Sequence, residues 1–198
     1  MARSLLLRIR VGPKEQRGFT LIEMMVVVII VGILATLAVV GYRKLVQTSH
    51  VSEATNMVQS IRVAQEAYHS ETQQYADVSQ TLTSWYPLAS PDGKHVTAWG
   101  GDCSNCVGGN AKGWSVLPLH VDGPVLFGYA TKAGPAGGSP PTLPSDISGK
   151  IDLTNVTPSP IEWYEVTAMC DFDGSGSPNT YVATTSWSNQ MFTFNEGQ

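Results

Sequence analysis

The chain has 198 residues, room for one domain with a sizeable core plus a further segment. Its net charge of −4 hides an asymmetry: the first eighteen residues carry Arg3, Arg8, Arg10, Lys14 and Arg17 against Glu15 alone, which leaves −8 on the remainder. An acidic remainder with no downstream Lys/Arg cluster argues against intrinsic nucleic-acid binding, which needs basic patches to face phosphate.

The first element after this basic segment opens with Gly18-Phe19-Thr20-Leu21-Ile22-Glu23 and continues as a nearly unbroken apolar run from Met24 to Val40. Only Thr20, Glu23, Gly32 and Thr36 interrupt residues 19–40. At about 1.5 Å per residue such a helix is roughly 33 Å long and crosses a hydrocarbon core. Five basic residues before it, and only Arg43 and Lys44 just after, place the N-terminus in the cytoplasm and the bulk of the chain on the other side. A secretory signal peptide carries its cleavage site behind the apolar region, among small residues. Here the cleavage point, after Gly18, precedes that region, so processing leaves the helix on the mature protein.

Glu23 is the informative residue. A lone acid in a membrane helix costs on the order of 2.5–3.5 kcal/mol at mid-span and marks function. A cut after Gly18 creates a free amine on Phe19.

Beyond Gly41 the pattern turns amphipathic. Val51, Ala54, Val58, Ile61, Gln65 and Tyr68 recur at three- and four-residue steps, flanked by Met57 and Ala64, with polar residues between them. This predicts a helix with one buried stripe, continuous with the apolar run over residues 19–75. Tyr68 and Tyr75 read as core packing. Turn formers crowd residues 77–110, and β-type segments are predicted at 114–121, 125–131, 161–171 and 181–194. Residues 133–150, rich in Gly, Pro and Ser, read as a long surface loop of the functional or mobile kind. The predicted class is α+β: a long N-terminal helix, transmembrane then amphipathic, packed on a C-terminal antiparallel sheet of about four strands. The expected divisions are a cleaved leader at 1–18, a transmembrane assembly helix at 19–41, an amphipathic helix at 42–76 and a globular β-rich head at 77–198.

The run from Arg17 through Gly18, Phe19, Thr20, Leu21, Ile22 and Glu23 to Ile30 closely resembles the class III signal of type IV prepilins and type II secretion pseudopilins. The resemblance covers residues 16–46, with a looser match along the amphipathic continuation. It implies that a prepilin peptidase cuts between Gly18 and Phe19 and methylates the Phe19 amine. It also implies that Glu23 sets charge pairing and register with Phe19 of a neighbour in the assembled fibre. The implied partners are other pilins in a homo- or hetero-polymer, the peptidase and an inner-membrane assembly platform. The implied location is the bacterial inner membrane before assembly, then an extracellular pilus or a periplasmic pseudopilus. Many pilins carry a helix-kinking proline where Val40 stands here, whereas this chain has none between Pro13 and Pro87.

Three cysteines, Cys103, Cys106 and Cys170, fall in the part expected to face an oxidising compartment. Cys103-Ser-Asn-Cys106 has the spacing of a tight bridge, a redox pair or half a zinc site, but no thioredoxin-like setting surrounds it. Zinc would need Cys170 with His95 or His120 to complete the set. A structural disulfide of Cys170 with Cys103 or Cys106 is expected, by resemblance to the C-terminal bridge of many pilins. Asp171, Asp173 and Ser175 form an oxygen-rich turn that resembles the first half of a calcium loop, although the closing glutamate is missing. A plain Asp/Gly/Ser hairpin turn is the other reading. No cofactor is required on this reading, and calcium at this turn is the favoured candidate.

Three function classes remain. The first is a structural subunit, major or minor, of a type IV pilus-like fibre, and the second a pseudopilin of a type II secretion system. The third, an anchored enzyme, finds no support: His50, His69, His95 and His120 sit in no recognisable catalytic motif.

Overall fold

With no proline to break it, Leu21–Thr72 winds into one helix, α1, of 52 residues. The computed structural model describes residues 18–79, 81–88, 91–100, 113–141, 143, 159–172, 174–176 and 179–195. The helix ends three residues earlier than the period predicts. Gln73 takes a left-handed conformation with φ of 59°, and its N–H still bonds His69 O at 2.8 Å, so the chain turns off the helix axis there. The chain divides into two compact units, Met1–Tyr42 and Arg43–Gln198.

In the first unit every described residue is exposed. This part of α1 is apolar on all sides and long enough to cross a membrane. A helix of that composition is stable only in lipid or inside a bundle of other apolar helices. Thr36, its mid-run hydroxyl, donates to Ile33 O at 2.8 Å and so presents no unpaired donor.

In the second unit α1 buries Val51, Ala54, Met57, Val58, Ile61, Ala64 and Gln65, the stripe expected from the spacing. They pack on a four-stranded antiparallel sheet formed by β1 (Gly128–Gly134), β2 (Trp163–Cys170), β3 (Thr180–Thr185) and β4 (Ser188–Phe194), in that spatial order. Register pairs Tyr129 with Ala168, Lys132 with Glu165, and Glu165 with Thr185. Along β2 the side chains of Tyr164, Val166, Ala168 and Cys170 join the helix-side core, together with Phe127, Tyr129 and Val182. The opposite face packs Met169, Ala130, Tyr181 and Ala183 under Leu82, Trp85 and Leu143. The sheet is therefore covered on both faces, and every residue of β2 is buried. Tyr68 and Tyr75 lie half-buried against the helix-side core, as packing residues.

The return from helix to sheet is fixed by one polar side chain. Buried Gln65 donates through Nε2 to Ala76 O at 2.8 Å and to Thr131 Oγ1 at 3.0 Å, and its Oε1 accepts the Ala76 N–H at 2.9 Å. Downstream, Ser79 N–H bonds Thr131 O, and Tyr86 exchanges two backbone hydrogen bonds with Tyr129. Gly128 is required at the start of β1, since a Cβ there would lie 2.8 Å from the Trp85 side chain and 2.9 Å from Leu88 O.

Two strand expectations are corrected. The segment 114–121 is not a strand: Trp114–Val116 is a single 3-10 turn, and Pro118 cannot donate to a ladder. Trp114 is instead buried in an aromatic cluster with Tyr86 and Trp99, ring centroids 5.7 and 5.1 Å away. The segment 181–194 is a hairpin of two strands that turns at Ser186-Trp187. The sheet still has four strands.

Candidate assembly site at the start of the long helix

Gly18 and Phe19 lie ahead of the helix, both exposed, with no neighbouring atom within 4 Å of the position a Gly18 Cβ would take. A peptide bond there is accessible to a protease. The basic residues that precede it lie outside the described residues.

Thr20 is the N-cap and Glu23 stands three residues on, in the first turn. Thr20 N–H donates to Glu23 Oε2 at 2.8 Å, Thr20 Oγ1–H donates to the same oxygen at 2.7 Å, and Glu23 N–H donates to Thr20 Oγ1 at 3.3 Å. This reciprocal arrangement is a capping box, which satisfies helix-start donors that otherwise have no partner. The reading of the apolar run passed over Thr20, although Thr-x-x-Glu before an apolar stretch marks this motif. Phe19 is 83% exposed, and Leu21, Ile22, Met24 and Met25 are exposed around Glu23. Glu23 is the only acid on the apolar part of the helix, four residues beyond the Gly18–Phe19 junction.

The other expected sites lie in the head. Cys170 carries a free, buried thiol on the helix-facing side of β2, and burial pushes it up to about 12. Cys103 and Cys106 lie outside the described residues.

Asp171 is buried and spends its carboxylate on its own turn. Oδ1 accepts N–H from Gly174 at 2.9 Å and Ser175 at 3.3 Å, and Oδ2 accepts N–H from Gly176 at 2.8 Å. Gly174 and Gly176 take left-handed conformations that allow this wrap. Asp173 lies outside the described residues. Among the described residues no group of three or more His, Cys, Asp or Glu side chains is placed to share a metal ion.

The four histidines each sit beside a carboxylate: His50 with Glu53 at 3.8 Å, His69 with Glu162 at 3.0 Å, His95 with Asp92 at 2.6 Å and His120 with Asp122 at 2.9 Å. Asp92 is held well below the usual carboxylate range by the Lys94 and His95 N–H groups and the His95 ring. A cavity of about 380 Å³ is lined by Gln74, Tyr75, Asp77, Gly134 and Glu162, among others. Both of its carboxylates are already engaged, Asp77 by Lys132 at 2.7 Å and Glu162 by His69.

One buried acid was not foreseen. Glu165, on β2, is wholly buried, and neither oxygen has a hydrogen-bond partner among the described residues. Burial pushes it up to about 8. In the sequence it sits where a strand alternates toward solvent, and only the second layer over the sheet hides it.

Residues 13–39 match the prokaryotic N-terminal methylation motif. Over 94 residues, 48% of this chain and 42% of the relative, the sequence is 37% identical to a type IV major pilin protein, PilA, of Myxococcus xanthus. It is 45% identical over 56 residues to a fimbrial protein, EcpC, of Eikenella corrodens, covering 28% of this chain and 37% of that one. A type IV major fimbrial protein, FimA, of Dichelobacter nodosus is 42% identical over 48 residues, 24% of this chain and 30% of the relative. The chain thus spans less than half the length of the relatives it matches. No solved structure matches it.

Proposed function

We propose that the chain is a type IV pilin, a structural subunit of a pilus fibre, stored in the inner membrane and polymerised through the first part of α1. A prepilin peptidase cuts between Gly18 and Phe19 and methylates the new Phe19 amine. An assembly platform then moves the subunit from lipid into the fibre. The observation that carries this reading is the single carboxylate of Glu23 on a bare apolar helix, four residues beyond an exposed Gly–Phe junction. In lipid that charge is costly. In a polymer the Phe19 ammonium of a neighbour supplies a counter-charge, and the apolar faces of many copies cover each other. The relatives named as major pilins and fimbrial proteins favour a pilus over a secretion pseudopilus. Their roles are structural, which supports a non-enzymatic role here.

The test is Glu23→Ala in the native host. The variant should insert and be processed, with Phe19 as its first residue by mass spectrometry, yet be nearly absent from sheared fibres. Normal incorporation of that variant would remove the charge-pairing mechanism.

A further inference from the structure

Lys132 and Glu165 are register partners across β1 and β2, yet they do not pair. Both stand on the sheet face away from the helix. Their strand neighbours Ala130 and Met169 lie in the outer layer, whereas Tyr129, Ala133, Tyr164 and Val166 join the helix-side core. Lys132 instead turns off the sheet, and its Nζ pairs with Asp77 Oδ2 at 2.7 Å. Asp77 belongs to the strap, residues 76–79, that leads from the helix back to the sheet. Its Oδ1 also accepts the Ala133 N–H at 3.3 Å.

Glu165 is wholly buried with neither oxygen hydrogen-bonded among the described residues, and burial pushes it up to about 8. At neutral pH it is therefore a protonated acid that offers an ammonium no counter-charge. Thr185, its register partner on β3, is buried too, and its Oγ1 has no partner among the described residues. An ionised Glu165 would thus have a hydroxyl donor on one side and a lysine on the other, each one strand away. Other titratable groups are few on this face. β3 brings Tyr181, four positions from Thr185, β4 brings none, and Leu82, Trp85 and Leu143 of the covering layer carry no charge. Glu162, just ahead of β2, is turned to His69. Lys132 is the cation that register places beside Glu165.

We propose that Lys132 is shared between two carboxyl groups: Asp77 holds it while Glu165 is protonated, and Glu165 draws it across the sheet once that acid ionises, so that the joint between strap and sheet responds to pH. A buried carboxylate without a counter-charge is costly, whereas Asp77 is partly exposed and keeps water when its lysine leaves. The exchange therefore gives up a weak surface pair for one that relieves a buried charge. It unties Asp77, which lines the cavity of about 380 Å³ beside Tyr75 and Glu162. The strap is then held by the Ser79 N–H bond to Thr131 O and by the Gln65 bonds to Ala76. Below the Glu165 midpoint the strap is pinned by charge, and above it the pin moves onto the sheet.

The experiment follows the carboxyl carbon resonances of Glu165 and Asp77 in the full-length chain in micelles, from about pH 6 to about pH 10, with Glu165→Gln and Asp77→Asn identifying the two signals. In the parent chain the Asp77 signal should step at the same midpoint as Glu165, and that step should vanish in Glu165→Gln. Lys132→Met removes the cation and should raise the Glu165 midpoint by about one pH unit. Asp77→Asn frees the lysine and should lower that midpoint by a similar amount. An Asp77 signal that stays flat while Glu165 titrates would overturn the proposal, as would a Glu165 midpoint that Lys132→Met leaves unmoved. Should Lys132→Met fail to fold, Asp77→Asn decides alone, because an unshifted Glu165 midpoint there is equally fatal.

Discussion

The two parts of α1 solve opposite problems with the same backbone. Residues 21–42 are apolar around the whole circumference and bury nothing in the chain's own core, whereas residues 43–72 carry a single stripe buried from Val51 to Gln65. The second part is satisfied within one molecule. The first is satisfied only by lipid or by other copies, and its one carboxylate sharpens that dependence. A helix can thus be read in segments by asking what would cover each face, and a segment that nothing in the chain covers points to a partner.

The contrast can be broken most severely by separating the parts. A chain beginning at Arg43 should be soluble and monomeric and should unfold in a single cooperative transition, while the processed full-length subunit needs detergent. Sedimentation and a thermal melt check this. Aggregation of the shortened chain would mean that the stripe alone does not complete the head.

Acid–base behaviour should be dominated by the head. Glu165 holds its proton to about pH 8 when folded, whereas in the unfolded chain it ionises near its ordinary value of 4.5. Between those values the folded state binds more protons, so this residue makes stability fall as pH rises from 4.5 to 8. The effect should reach a few kcal/mol across the window. Glu165→Gln should flatten the slope and stabilise the head at pH 8, measured by denaturant unfolding at several pH values. An unchanged slope would show that Glu165 finds a partner in solution.

A smaller change is expected at the joint between helix and sheet. Gln65→Ala removes three buried hydrogen bonds and leaves the Ala76 amide and carbonyl unpaired, so it should lower head stability by about 2–4 kcal/mol. The smallest effect concerns the acidic turn. Three of the Asp171 acceptor positions already hold backbone N–H groups, so adding calcium or a chelator should leave the melting midpoint unmoved. A calcium-dependent rise would instead support the metal-binding reading of that turn.

The helix and its stripe were legible because a 3.6-residue period survives over many turns: every buried position from Val51 to Gln65 follows it. Gly18, Phe19 and Glu23 stand out in the sequence because a lone acid in a membrane-length apolar run is rare. Elsewhere tertiary context decided. Trp114 and Val116 alternate like a strand, but the aromatic cluster takes Trp114 and Pro118 interrupts the pattern. The β3–β4 turn contains Ser186-Trp187 and no Asn-Gly or Asp-Gly, so its bend left no local mark. The burial of Glu165 left no mark in the sequence, because alternation along a strand says nothing about a second covering layer.

The Gln65 clamp has a mechanical consequence. A filament under tension carries load along its helices, and a head attached only by apolar contacts would slide and peel under that load. Gln65 ties the helix to the connecting strap at Ala76 and to the first strand at Thr131. These three bonds lie side by side and would be strained together when the helix is pulled past the sheet. Together with Glu66, which accepts from Tyr164 OH at 3.1 Å, and His69, paired with Glu162 at 3.0 Å, Gln65 spreads such load over the C-terminal turns of the helix.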